Sequence, residues 1–136
     1  EYAPLFAIHW DKSRNAANQD LVTLLRRHTP AVLFRAGERH QPSATNYALL
    51  ASVVERVADA DFDVHLRRAV FEPAGMRATA AYSKLRDNRV ANRAIGFQMY
   101  RVKKPALDDL GYLDGILGDK NVYATAEDIV QWEQAL

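Results

Sequence analysis

SATNYALLASVVERVADADFDVHLRRAVFEPAGMRAT, running from Ser43 to Thr79, carries two helical patterns separated by an Asp-rich turn and closed by a Pro-Ala-Gly-Met corner. In the first pattern Tyr47, Leu50, Ala51, Val54, Val57 and Ala58 recur at three- and four-residue spacing, which predicts a helix over 44–58 with one apolar face. Ser43 stands where an N-cap belongs, and Ser52, Glu55 and Arg56 form the face expected in solvent. Asp59 to Asp61 break the run. Asp61 can cap a second helix over 62–71, whose buried side would be Phe62, Leu66, Ala69 and Val70, and Pro73 ends it. An αα-hairpin of this kind must bury its combined apolar face against something else.

Upstream, Tyr2, Leu5, Phe6, Ile8 and Trp10 show no sustained period, so residues 1–17 read as an irregular arm whose aromatics anchor it to the core. Leu21, Leu24 and Leu25 share one face of a helix near 18–28, capped by Asn18 or Asn15 and stopped by Pro30. Ala31 to Phe34 is a short apolar run, expected to be extended, that ends at Gly37. Downstream, residues 95–102 alternate well enough to predict a strand, which Lys103-Lys104-Pro105 terminates. Residues 106–124, rich in Asp and Gly, read as a long loop of the kind that serves function or packs on a partner. Thr125 and Asp128 make a capping-box variant before a helix with Ile129, Trp132 and Leu136 on one face. The fold class is mainly α, with at most a short strand or hairpin.

A chain of 136 residues is large enough to bury a core without disulfides or metal, and one domain over 1–136 is expected. Its 49% hydrophobic and 26% charged residues are ordinary for a globular protein, and no apolar run approaches the roughly 20 residues of a membrane span. A net charge of +1 gives no electrostatic footprint for nucleic acid. Arg26-Arg27, Arg67-Arg68 and Lys103-Lys104 read as solvated helix and loop faces. The absence of cysteine excludes disulfides and thiolate chemistry and leaves the compartment open. The chain starts at Glu1 and stops at Leu136 inside a helical pattern, so it is expected to be a piece of a longer one.

Chemistry-bearing patterns are few. Ser13, Ser43, Ser52 and Ser83 are the available serine nucleophiles, and three residues beyond them stand Ala16, Asn46, Glu55 and Arg86, never the lysine of a Ser-x-x-Lys pair. No Gly-x-Ser-x-Gly elbow is present. Asp59, Asp61 and Asp63 have the alternate spacing of a calcium loop, but Val64 and Val70 occupy the positions that need Gly and Glu. His9, His28, His40 and His65 are too scattered for a metal signature. The carboxylates between 108 and 119 could supply a general acid and base or simply hold a solvated turn. No cofactor or metal is expected.

The run NYALLASVVERV followed by DFDVHLRRAVFEPAGMRAT resembles the helical region of the class C β-lactamase-related serine hydrolases, the β-lactamase and penicillin-binding-protein-like family. Their pattern is approximately Pro-Gly-x-x-x-x-Tyr-Ser-Asn-x-x-Tyr-x-Leu-Leu, two helices and Pro-Leu-Gly-Met-x-x-Thr. Ala36-Gly37 stands at the Pro-Gly position, and Gly118 to Ile129 is similar to the family's Gly-Asp-Lys-Gly-Val-Tyr-Ser-Thr-x-x-Asp-Leu segment. The likeness covers roughly residues 18–136. It implies a helical subdomain inserted in an α/β fold, an extracytoplasmic location and, in the parent protein, attack on β-lactam, peptidoglycan peptide or ester bonds.

In register from Tyr47, the family's Tyr-x-Asn falls on Pro42, Ser43 and Ala44, which offer neither its proton-transfer tyrosine nor its amide. The Ser-x-x-Lys and Lys-Thr-Gly motifs would lie outside 1–136, so no catalytic residue carries over. The chain is expected to be inactive alone. It is either a fragment of a hydrolase or a non-catalytic pseudoenzyme or interaction module of the same fold; a small helical binding domain that matches by chance is the unrelated alternative. Parted from the α/β subdomain, it should expose an apolar face and self-associate or rearrange.

Overall fold

The computed structural model describes residues 1–86, 90–99 and 104–136. In chain order they form α1 (Ala3–His9), α2 (Asn18–His28), α3 (Ala44–Ala58), α4 (Phe62–Leu66) with a π-helical turn over Arg67–Phe71, β1 (Ala80–Ala81), β2 (Phe97–Gln98), β3 (Ala106–Leu107), β4 (Val122–Tyr123) and α5 (Ala126–Ala135). The architecture is mainly α. Two small antiparallel ladders supplement it: β1 with β4, where Ala80 faces Tyr123, and β2 with β3, where Phe97 faces Leu107.

The N-terminal arm is helical rather than irregular. Tyr2, Phe6 and Trp10 recur every four residues, and Pro4 sits in the first turn of α1, where its missing N–H has no intrahelical acceptor to lose. Successive rings meet edge to face at 6.1 and 5.4 Å. Tyr2 and Phe6 are buried with Ala16, Leu21, Leu24, Ala48 and Ile116 in one cluster, so the anchoring role of these aromatics holds.

Helix α2 has the expected extent, but neither Asn15 nor Asn18 caps it. Ala17 is the N-cap residue, and its N–H donates to the Asp20 carboxylate at 2.9 Å. Asn18 turns inward instead. Its Nδ2 donates to the Ala48 and Leu117 carbonyls at 2.9 and 2.8 Å, and its Oδ1 accepts from the Leu117 N–H at 2.9 Å. One buried amide thereby ties α2, α3 and the segment before Gly118 together. The 31–34 run is largely exposed and has no strand neighbour among the described residues.

On α3 the inward side matches the predicted stripe only in part: Ala51 is buried and Val54 and Ala58 are half-buried. Ala48 and Ala51 are buried, whereas Tyr47, Leu50 and Val57 are 58%, 57% and 82% exposed, and Ser52 and Glu55 are half-buried. Backbone proximity explains this. Gly118, at φ +113, lies so close to α3 that a Cβ there would stand 2.4 Å from the Tyr47 carbonyl oxygen and 2.8 Å from the Ala51 Cβ. Only small residues fit beneath it, so the long apolar side chains point away.

Asp61 occupies the N-cap position of α4 without capping it; its carboxylate goes to Arg86, and the Phe62 N–H donates to Glu55 Oε1 at 3.1 Å. Phe71 is the buried residue of this helix, Phe62, Leu66 and Val70 are half-buried, and Ala69 is exposed. The expected strand reduces to Phe97–Gln98, and its 100–102 portion lies outside the described residues. The 106–124 loop contains β3 and β4 and contributes Ile116 and Leu117 to the interior, so its partner is this chain's own core. Of the face expected on α5, Trp132 is half-buried while Ile129 and Leu136 are exposed; its buried residue is Asp128.

Candidate functional site

The N-terminus of α3 is where the sequence places a catalytic triplet. Pro42 is exposed and has no ionisable group. Ser43, in extended conformation at φ −145, caps α3 by accepting from the Asn46 N–H at 3.4 Å. Ala44 packs against the core cluster. The triplet thus begins a helix, and at the tyrosine and asparagine positions Pro42 has no acid or base group and Ala44 no hydrogen-bonding side chain.

A polar pair borders the same region. Tyr2, buried, donates through its hydroxyl to Asp119 Oδ2 at 2.8 Å. Burial, then the Asp119 hydrogen bond and the nearby charges of Asp119, Asp114 and Glu1 push the phenol's pKa far above its usual value. Tyr2 is therefore a fixed donor and not a base at neutral pH. The two residues lie 117 positions apart, so no local pattern could have revealed the pair. Among the described residues, Thr45 Oγ1 and Asp119 Oδ1 are buried without a hydrogen-bond partner.

The serines are engaged elsewhere. Ser13 bonds Asp11 at 2.8 Å, Ser52 donates to the Ala48 carbonyl at 3.3 Å, and buried Ser83 donates to the Gly115 carbonyl at 3.2 Å. Lys120 pairs with Asp114 at 2.9 Å, and Lys84 Nζ donates to the Leu110 carbonyl at 3.3 Å. The calcium-like aspartates have a structural explanation: Asp61 and Asp63 both meet Arg86 Nη1 at 2.6 Å, and Glu55 is 3.8 Å from its other terminal nitrogen. Glu55, Asp61 and Arg86 border a cleft of about 660 Å³. The carboxylates of the 108–119 loop are likewise paired: Asp108 with Gln98, Asp109 with Arg93, Asp114 with Lys120 and Asp119 with Tyr2. The histidines are not all scattered, because the rings of His9 and His28 stack with centroids 3.7 Å apart. No group of three or more His, Asp or Glu is placed to hold a metal among the described residues.

The arrangement is that of the helical part of a penicillin-binding-protein fold. A penicillin-binding protein from Bacillus halodurans superposes with a TM-score of 0.73 over 88% of this chain and 35% of its own, at 28% identity. The octameric penicillin-binding protein homologue from Pyrococcus abyssi, at 17% identity, shares the fold with a TM-score of 0.69 over 87% of this chain and 26% of its own. The β-lactamase family model matches residues 2–136, and the chain belongs to the β-lactamase family. The likeness thus includes the N-terminal helix as well as the region from residue 18 onward. Penicillin-binding protein 4* of Bacillus subtilis is 32% identical over 146 aligned residues, which cover the whole of this chain and 32% of that protein. The chain therefore spans about a third of the length of this relative.

Proposed function

We propose that residues 1–136 are the helical subdomain of a β-lactamase-related serine hydrolase, one that opens β-lactam, peptidoglycan peptide or ester bonds through an acyl-serine. The observation that carries this reading is the match to the β-lactamase family over residues 2–136, together with the likeness to the penicillin-binding-protein fold. Pro42 is inert, the Ser43 oxygen caps α3, and Ala44 packs against the core, so these residues offer none of the family's catalytic groups. The nucleophile and its lysine belong to the remainder of the protein, consistent with the share of the relatives that this chain covers.

The same triplet favours a second reading, a non-catalytic protein of this fold, because the proton-transfer position is empty of any acid or base. Labelling separates the two. The 136-residue chain is expected to leave a chromogenic cephalosporin and p-nitrophenyl esters intact and to take up no fluorescent penicillin. Stoichiometric labelling of one of its serines would overturn that expectation. In the full-length protein, acylation of a serine outside 1–136 supports the hydrolase, and its absence supports the non-catalytic reading. The exposed stripe on α3 is assigned to contact with the rest of the protein or with a second copy; the octameric state of the Pyrococcus abyssi homologue is a precedent for the latter.

A further inference from the structure

Among the described residues, β2 and β3 approach each other and no other helix or strand. Apolar side chains do not anchor them to the helical body either, since Ile95, Phe97, Met99 and Leu107 all stand open to solvent. A two-stranded ladder without a buried face is only marginally stable in water. Whatever fastens this one must therefore lie at its base. There Arg93 and Asp109 form a two-pronged ion pair, Nη1 on Oδ1 and Nη2 on Oδ2, with side chains only 17% and 18% exposed. Gly96 closes the same base. Its carbonyl accepts from the Asp108 N–H at 3.0 Å, and a Cβ on it would stand 2.2 Å from the Asp108 carbonyl oxygen, so no side chain fits.

The guanidinium that holds Asp109 also lies over two rings of the body, 5.8 Å from the centroid of Tyr82 and 5.7 Å from that of Tyr123. Strand register brings those rings together: Ala80 faces Tyr123 across the β1–β4 ladder, and Tyr82 follows Ala80 by two residues, which returns it to the same side. The rings meet edge to face at 6.3 Å. Neighbouring charges are engaged elsewhere, Lys84 Nζ with the Leu110 carbonyl at 3.3 Å and Asp108 with Gln98 at 2.8 Å. We propose that Arg93 is a latch: the β2–β3 hairpin opens and closes as a unit separate from the helical body, and Arg93 seated against Asp109, Tyr82 and Tyr123 holds it closed. One cation makes both the ion pair and the ring contacts, so its loss loosens the base of the hairpin and its seat on the body together. Elements with few buried apolar contacts are the ones that open without global unfolding.

Amide hydrogen exchange of the full-length protein, read by mass spectrometry, tests the proposal independently of any hydrolytic activity. In the parent protein residues 95–99 and 105–109 should exchange faster than α2. Arg93→Ala should speed exchange in those two segments about tenfold, the loss expected for a shielded ion pair with two ring contacts, and leave α2 and α3 unchanged. Tyr82→Leu combined with Tyr123→Leu keeps the ion pair and the apolar bulk, removes the ring faces, and should speed it about threefold. This second variant reads the proposal even where Arg93→Ala does not fold. Unchanged exchange of the hairpin segments in Arg93→Ala would overturn the proposal, because other parts of the protein would then hold the hairpin. So would an equal rise in α2 and α3, which would make the hairpin part of the body's own cooperative unit, or unchanged exchange in the double tyrosine variant.

Discussion

Helix α3 and the segment around Gly118 touch each other and could hardly differ more in sequence. α3 has a sustained apolar period, yet its large side chains Tyr47, Leu50 and Val57 face solvent. The 112–121 segment has no period and is rich in Gly and Asp, yet Ile116 and Leu117 are among the most buried residues. Period reports the kind of element and the existence of a face that wants covering. What covers that face is decided by close backbone approach, and at this seam it is marked by small residues and by one amide, Asn18.

The largest expected effect tests the inner side of that contrast. Asn18→Ala removes three hydrogen bonds and leaves the Ala48 and Leu117 carbonyls and the Leu117 N–H without this partner inside the protein. Stranding buried polar groups costs about 1–3 kcal/mol each before relaxation, so a net loss of about 3 kcal/mol is expected in urea unfolding. A loss below about 1 kcal/mol would mean that the 115–118 backbone is not held through Asn18.

A smaller effect tests the outer side. Leu50→Ser combined with Val57→Ser exchanges apolar for polar surface at positions already in water, so the stability of the 136-residue chain should change by no more than about 0.5 kcal/mol per site. Light scattering should nonetheless show less self-association than in the parent chain, because the stripe is the surface that seeks a partner. A cost of several kcal/mol would put these side chains in this chain's own core and erase the contrast.

Sequence reasoning reached what is encoded locally. The limits of α2, the Ser43 cap and the helix from Thr125 follow from caps and period within one element, and the family follows from ordered motifs that include Pro73-Ala-Gly-Met76. It missed what depends on long-range approach. Asn18 looks like a cap until Leu117 is brought to it from 99 residues away, and Asp61 looks like one until Arg86 takes its carboxylate. Thr125 is a half-way case: it caps α5 through the Asp128 N–H as expected, but the Asp128 carboxylate reaches to the Ala78 N–H and Thr79 hydroxyl at 2.8 and 2.6 Å. At the candidate site, placing the family's Tyr-x-Asn on Pro42, Ser43 and Ala44 needs only the register from Tyr47. The Tyr2–Asp119 pair was not legible, because its members meet only when α1 packs beside the end of the 112–121 segment.

The smallest expected effect concerns a pairing that sequence spacing also concealed, between the ends of α1 and α2. His28 is half-buried under His9, and its pKa is lowered from 6.5 by that burial first, then by the charges of His9 and Arg27. A cation at the C-terminus of α2 would by itself be favoured by the helix dipole, so the lowering means that crowding outweighs the dipole here. A folded value below the unfolded one means that the unfolded chain takes up the proton first. His28 therefore costs nothing above its unfolded value and destabilises as pH falls through it, until the folded value is also passed. Unfolding midpoints should decline as pH falls through about 6.5, the unfolded value, and His28→Gln should flatten that decline. The carboxylate Asp109 acts in a separate window, since Arg93 holds its value below 3.8 and its contribution is lost only under more acid conditions. An unchanged decline in His28→Gln would show that the α1–α2 stacking is not what the protons oppose, and would place the pH dependence elsewhere in the molecule.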